Sequence, residues 1–288
     1  MPSTITFTSA NILPGSNNSI LVYNFPSSVV FSDHSIAVSQ VNMFYSWENI
    51  NGVPLQNNKF SYSYTSVGTT TTYNLVIPDG IYEISDINNF LQFSMIANGT
   101  YLVNDVGQNV YYAEFILNPT LYSVQINTYP QLTILPVGWT NPSGLPLASA
   151  VINPVITLPA KFNLIMGFPA GYATPQPVTP NTIFSVTSTS APQVQPNPTV
   201  FVTMSNIQNI YAIPSSIIYA ITPIGDTGTQ IADRPYQYSW NKLLAGTYNQ
   251  LRIQLLGTDL GPIEILDPTM TIILLIQDNK LEGHYSMK

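Results

Sequence analysis

Two histidines, His34 and His284, stand near opposite ends of the 288-residue chain. Their separation matches no metal-ligand spacing, so no zinc site is expected from them. Carboxylates gather in two places. Asp79, Glu83 and Asp86 surround the start of a stretch with helical spacing, where a pair of them would suit general acid–base chemistry. Acidic side chains also collect there for a plainer reason, the positive end of the helix dipole. Asp226-Thr227-Gly228 with Asp233 would offer a loop to calcium, but too few carboxylates converge to hold the ion. Asp233 and Arg234, ahead of Pro235, read as a turn carrying one ion pair. The chain has no cysteine, hence no thiol nucleophile and no disulfide framework. It has no Gly-x-Ser-x-Gly elbow, Gly-rich phosphate loop or His-Glu-x-x-His pair. The expectation is therefore a protein that is not an enzyme, with no catalytic, cofactor-binding or metal-ligating residue and no cofactor.

The elements around these residues are mostly strands. Phe60, Tyr62 and Tyr64 alternate with polar neighbours, as do Tyr73, Leu75 and Ile77, then Tyr122, Val124 and Ile126, then Leu251, Ile253 and Leu255. Met270 to Ile276 is apolar in both phases and reads as a central strand covered on both faces. In Ser35 to Glu48 the apolar phase switches near Gln40, from Ile36 and Val38 to Val41, Met43, Tyr45 and Trp47. Such a switch predicts a bulge or a bend between sheets. The clearest helix runs from about Asp86 to Ala97, with Ser85 as N-cap, Ile87, Phe90 and Leu91 facing the core, and Asn88, Asn89 and Gln92 more exposed. Asn98-Gly99 ends it.

Thirteen of the 24 prolines lie between Pro130 and Pro198. Thr174 to Pro180 and Ala191 to Pro198 are excluded as central strands. The apolar residues Phe162, Leu164, Ile165, Met166 and Phe168 interrupt this region and need a core. The reading is one domain over 1–288, with a Pro-rich loop or insertion region at about 130–198.

Charged residues are only 7% of the chain, against roughly 25% in ordinary soluble proteins. The longest apolar run, Ile272 to Ile276, is far short of the roughly 20 residues that span a bilayer, so no membrane span is expected. The surface must then be built of Asn, Ser, Thr, Gln and Tyr, which is inexpensive to desolvate and suits a large permanent protein interface. The alternative is an adhesive or lectin-like β-protein, whose 18 tyrosines, with Trp47, Trp139 and Trp240, would stack on sugars. Net charge is −7, and the seven basic residues Lys59, Lys161, Arg234, Lys242, Arg252, Lys280 and Lys288 are scattered. Direct nucleic-acid binding needs them clustered and is not expected. The first residues show no basic-then-apolar leader, so synthesis in a cytosol is expected, and the sequons at Asn17 and Asn98 read as chance matches.

Several segments, in order, resemble the penton (minor capsid) proteins of virophages and Polinton/Maverick-type elements, mavirus-like pentons above all. They are Val41-Asn42-Met43-Phe44-Tyr45-Ser46-Trp47-Glu48-Asn49-Ile50, Ile77 to Asn88, Asn118 to Gln125, Gly138-Trp139-Thr140-Asn141-Pro142, Asn163 to Phe168, and Leu266 to Ile276. The resemblance spans about residues 36 to 276. It implies an all-β fold: a single jelly-roll antiparallel β-sandwich of about eight main strands, with one short helix and long Pro-rich loops or a small insertion. It also implies a homopentamer closing each vertex of an icosahedral virion, in contact with the major capsid protein and assembled in the host cell. It carries no catalytic residues. His284, Tyr285 and their neighbours match nothing in it.

Overall fold

The computed structural model describes residues 2–195, 197–225 and 227–282. Its strands, numbered in chain order, begin with β1 (Ser3–Thr8), β2 (Ile20–Phe31) and β3 (His34–Phe44). There follow β4 (Lys59–Ser66), β5 (Thr69–Val76), helix α1 (Ile84–Ala97), β6 (Leu102–Val103), β7 (Asn109–Val110), β8 (Ala113–Asn118) and β9 (Ser123–Thr128). Next come β10 (Ile156–Leu158), helix α2 (Phe162–Met166), β11 (Tyr172–Ala173) and β12 (Phe184–Thr187). The last are β13 (Val200–Met204), β14 (Ile217–Ile221), β15 (Gln230–Asp233), β16 (Asn241–Lys242), β17 (Gly246–Leu256) and β18 (Thr271–Asp278). By its contacts the chain divides into unit 1, Met1–Glu48 with Asn197–Lys288, and unit 2, Asn49–Pro196. The Pro-rich 130–198 stretch thus falls almost wholly in unit 2, whose own core begins at Ile50.

Unit 1 is a jelly roll. One sheet runs β1-β18-β3-β15 and the other β14-β13-β17-β2, with the short β16 also paired to β3. Lettered B to I in chain order, the eight main strands fall into sheets B-I-D-G and C-H-E-F, the two interleaved Greek keys of that fold. All these pairs are antiparallel. Period-2 alternation supplies the core. Phe7, Ile36, Val38, Val41, Met43, Ile272 and Leu274 come from one sheet, and Leu21, Val200, Val202, Met204, Leu251, Ile253 and Leu255 from the other.

The phase switch in β3 is a bulge. Gln40 pairs with Ile273 and Val38 with Leu274, so Ser39 is the extra residue, and the buried set passes from Ile36 and Val38 to Val41, Met43, Tyr45 and Trp47. Strand β18 is central as expected, between β1 and β3, but Ile273 and Leu275 on its second phase are only half-buried.

Unit 2 is built on shorter pieces: a sheet β11-β10-β4-β5, a sheet β12-β9-β8, and the β6-β7 hairpin. Helix α1 lies against them. Its buried residues are Ile84, Ile87, Leu91, Ser94 and Met95. The side-chain oxygen of Asn88 accepts from the Phe115 amide at 2.8 Å, which ties the helix to β8. Four details differ from the sequence reading. The N-cap is Glu83, not Ser85, because Asp86 sits three residues on and its carboxylate accepts from the Glu83 amide at 2.9 Å. Phe90 is only half-buried, at the margin of the core, like Asn88 and Gln92, whereas Ile87 and Leu91 are buried. Tyr122 lies in the turn ahead of β9 with φ 46°, where it is exposed. Finally, Phe162–Met166 forms a second, short helix, and Gly167 closes it at φ 74° with Ser190 and Ser188 crowding any Cβ.

Much of unit 2 has no ladder to satisfy its backbone, and asparagine side chains serve instead. The Asn49 amide donates to the carbonyls of Tyr82 and Val194 at 2.6 and 2.7 Å and accepts from the Tyr82 amide at 2.9 Å. Asn57 bridges Asn51 and Asn49, and Asn58 reaches Ile77. An isolated bridge joins Ile50 to Gly80. Two of the segments that carry the family resemblance therefore meet here, held by neutral amides.

Candidate assembly surface and ligand cleft

The expected reactive groups are dispersed. His34 begins β3, stacks edge-on to Phe31 at 5.0 Å, and its Nδ1 is buried without a partner among the described residues. Asp79 accepts from the Gly52 amide at 2.8 Å and from Asn58 at 3.3 Å, so it clamps a loop, while Glu83 and Asp86 cap α1. No acid–base pair is assembled from the three. Asp233 does not pair with Arg234. It ends β15 and accepts from Tyr219, whose hydroxyl is pushed up to about 12 by burial and then by this carboxylate. Asp226, His284 and Tyr285 lie outside the described residues. Among the described residues no three of His, Cys, Asp and Glu converge, and no helix is long and apolar enough to cross a membrane. The sequons differ, since the acceptor Asn98 is half-buried while the acceptor Asn17 is exposed. Thr100 is fully buried with Asn98 bonded to Tyr62, and Ser19 is buried with Asn18 bonded to the Ile265 carbonyl.

The feature that stands out in unit 1 is one end of the roll. The β13–β14 connection and the β15–β17 connection are stitched together there. Gln208 donates to the Lys242 carbonyl, Leu244 to that of Asn206, and Ile207 and Leu243 bridge each other, both buried. The tight β2–β3 turn joins them through Leu243, which donates to the His34 carbonyl at 2.9 Å, and through the Lys242–Asp33 ion pair at 3.8 Å. Asn209 shapes the tip of the first connection. It donates to the Ile217 carbonyl and accepts from the Tyr211 amide. On this framework Tyr211, Ile213 and Tyr236 are 93–100% exposed, and Ile210 and Tyr238 stand beside them in the chain. Large apolar groups are thus presented by hydrogen-bonded loops, alongside the charged Asp33, Arg234 and Lys242. Such a surface is suited to burial against protein.

Concavities occur in both units. A trough of about 860 Å³ lies on the outer face of the β14-β13-β17-β2 sheet, lined by polar side chains that include Asn206, Asn249, Gln250, Arg252 and Gln254. In unit 2 a cleft of about 450 Å³ is lined by Tyr111, Tyr112, Tyr129, Trp139, Leu132 and Glu114, with amides at its rim. Sequence reasoning noted the tyrosines and Trp139 as possible stacking groups but did not bring these together. They are spread from β7 to the loop after β9, and no local period links them.

No protein-family model matches the chain, and no curated protein does. Among solved structures, the crystal structure of the mavirus penton protein is similar over 96% of this chain and 99% of that one, at 8% identity and a TM-score of 0.47. The cryo-EM structure of the Sputnik virophage offers a second likeness, over 98% and 99%, at 14% identity and a TM-score of 0.42. Neither superposition is close enough to transfer a function, and the jelly-roll assignment stands on the strand order of unit 1 itself.

Proposed function

We propose that the chain is a structural protein of an icosahedral virus particle and, within it, the penton: five identical copies closing a vertex beside the major capsid protein. The observation that carries this reading is the jelly roll of unit 1 with the large exposed apolar groups Tyr211, Ile213 and Tyr236 at its loop end. Jelly rolls serve as capsid subunits. A capsid subunit must bury much of its surface without desolvating many ions, and a chain with 7% charged residues meets that condition. A single surface patch that meets a different patch on the next copy makes a ring when the rotation closes. The number five, the vertex and the major capsid protein come from the motif resemblance, not from the geometry. On this reading the protein resides in the virion, is assembled in the host cell, performs no catalysis and makes no direct contact with nucleic acid.

Native mass measurement of the purified protein and cryo-EM of assembled particles test the proposal together. The expected results are a pentamer, alone or after adding the major capsid protein, and density for the chain at the five-fold vertices. Introducing charge at the loop end, as in Ile213→Asp with Tyr236→Asp, should abolish assembly while leaving a folded monomer. Particles that lack the chain, or that carry it only on fibres or inside the shell, overturn the reading.

A further inference from the structure

The cleft of unit 2 is organised differently from the assembly surface. Tyr111, Tyr129, Leu132 and Trp139 each pack partly against the unit 2 core while remaining partly exposed. They are therefore fixed platforms rather than mobile side chains, and the entropy lost on binding to them is small. Trp139 is positioned by its own amide, which donates to the Pro136 carbonyl, and by the paired bonds between Thr140 and Val103 on β6.

The polar groups are held just as firmly. One oxygen of Glu114, on β8, accepts from Asn127 at 2.9 Å and from the Tyr129 hydroxyl. Asn127 in turn accepts from Gln125, which also donates to Ser185. The Tyr129 hydroxyl, pushed up to about 12 by burial and by Glu114, stays protonated and donating. Both bonds to Glu114 use a single oxygen, Oε1, and leave Oε2 free to accept. Elsewhere in the lining, the Asn104 side chain fastens the β6–β7 turn by accepting from Val106 and Gln108, and Asn109 donates to the Tyr111 hydroxyl at 3.1 Å. That bond leaves the hydroxyl proton of Tyr111 available to a ligand.

We propose that this cleft binds a neutral saccharide. Ring faces of Trp139 and the tyrosines would cover the apolar C–H face of a pyranose. The carboxylate oxygen of Glu114 would accept from sugar hydroxyls, and the Tyr111 hydroxyl and the amides of Gln92, Gln108 and Asn109 would complete the contacts. A volume of about 450 Å³ lies within the range of small-ligand pockets. No lysine, arginine or histidine lines the cleft while one carboxylate does, so an acidic sugar or a phosphate is disfavoured. The abundance of amides favours a polyhydroxylated ligand over a quaternary ammonium ion. The site does not depend on how many copies of the chain assemble.

The test uses the full chain. Saturation-transfer NMR and tryptophan fluorescence are recorded against glucose, galactose, N-acetylglucosamine, lactose and maltose, with N-acetylneuraminic acid and choline as charged counterparts. At least one neutral sugar should bind saturably. Trp139→Ala should weaken it about tenfold, and Glu114→Gln about threefold or more. Trp240→Ala, in unit 1, should leave affinity unchanged. Thermal melts establish that each variant is folded, and Glu114→Gln carries the test if Trp139→Ala is not. The proposal is overturned if no neutral sugar in the set saturates, if the folded cleft variants bind as the parent does, or if choline or the acidic sugar is preferred.

Discussion

In unit 1 the chain runs in strands of up to 12 residues whose ladders satisfy the backbone, and side chains have only to fill the space between two sheets. In unit 2 several strands are two or three residues long, and buried Asn49, Asn57, Asn58, Asn153 and Asn163 bond to main-chain groups that lie mostly outside the strands. The first unit is specified by apolar volume and the second as much by neutral amides. A buried carbonyl or N–H left unpaired is expensive, so unit 2 should be sensitive at positions where unit 1 is indifferent.

The most drastic way to probe this comparison is to replace residues 49–196 by a short Gly/Ser linker. The jelly roll should still unfold cooperatively in urea, since its eight strands and its core are all supplied by unit 1. A product without a cooperative transition would show that the ladders of unit 1 are insufficient alone. In the full chain, Leu274→Ala should cost about 3–4 kcal/mol, because the side chain is fully buried between sheets. Asn49→Ala should cost about 3 kcal/mol by orphaning two carbonyls and an amide. Phe90→Ala, at the core margin, should cost only about 1–2 kcal/mol. Urea unfolding of the three variants ranks them. If Asn49→Ala proves milder than Phe90→Ala, neutral amides do not specify unit 2.

Alkaline titration separates the units by their tyrosines. Burial raises Tyr62, Tyr64, Tyr112, Tyr129 and Tyr172 in unit 2, against Tyr45 and Tyr219 in unit 1. A folded-state pKa above the unfolded value of 10.0 means the contribution to stability is complete below pH 10. It is lost as pH rises through the folded values, about 12 for Tyr129 and Tyr219. Stability should therefore be flat to about pH 9 on account of these groups and fall between pH 10 and 12. For these seven tyrosines, tyrosinate absorbance should appear in step with unfolding, and their free titration at pH 10 in the folded protein would refute the assignment. The smallest effect belongs to Lys242→Ala. The Lys242–Asp33 pair is exposed at both side chains (68% and 37%), so its removal should change stability by less than about 0.5 kcal/mol.

The same contrast governs what could be read from residue order. Alternation placed the strands at Phe60–Tyr64 and Leu251–Leu255, and a phase switch located the bulge beside Gln40 to within one residue, because sheet geometry writes itself into a period of two. Helix α1 was legible from its apolar spacing, but its cap was not. Ser85 is the favoured residue type at that position and Glu83 is not, yet the reach of Asp86 back to the Glu83 amide sets the cap at Glu83. The boundary at Asn49 left no compositional mark, since the strand before it and the amide network after it are equally uncharged. The Phe162 helix was hidden by the prolines around it. The cleft was invisible for a different reason: its aromatic and polar groups come from separate elements, and only the folding of β6 to β9 brings them together.

Trp47 stands just before the chain leaves unit 1, and Asn197 is the first residue on its return. The indole N–H of the former donates to the carbonyl of the latter at 3.2 Å. The side chain of Asn197 is itself anchored, accepting from Thr258. The two crossings are thus fastened to each other inside the roll, and from the roll's side everything in between has the status of a closed hairpin. The entropy of closing a loop grows only slowly with its length, so what lies beyond the fastening can grow, shrink or be exchanged with little consequence for the sheets. The segment between the two crossings could be rebuilt many times over while the roll keeps the same shape.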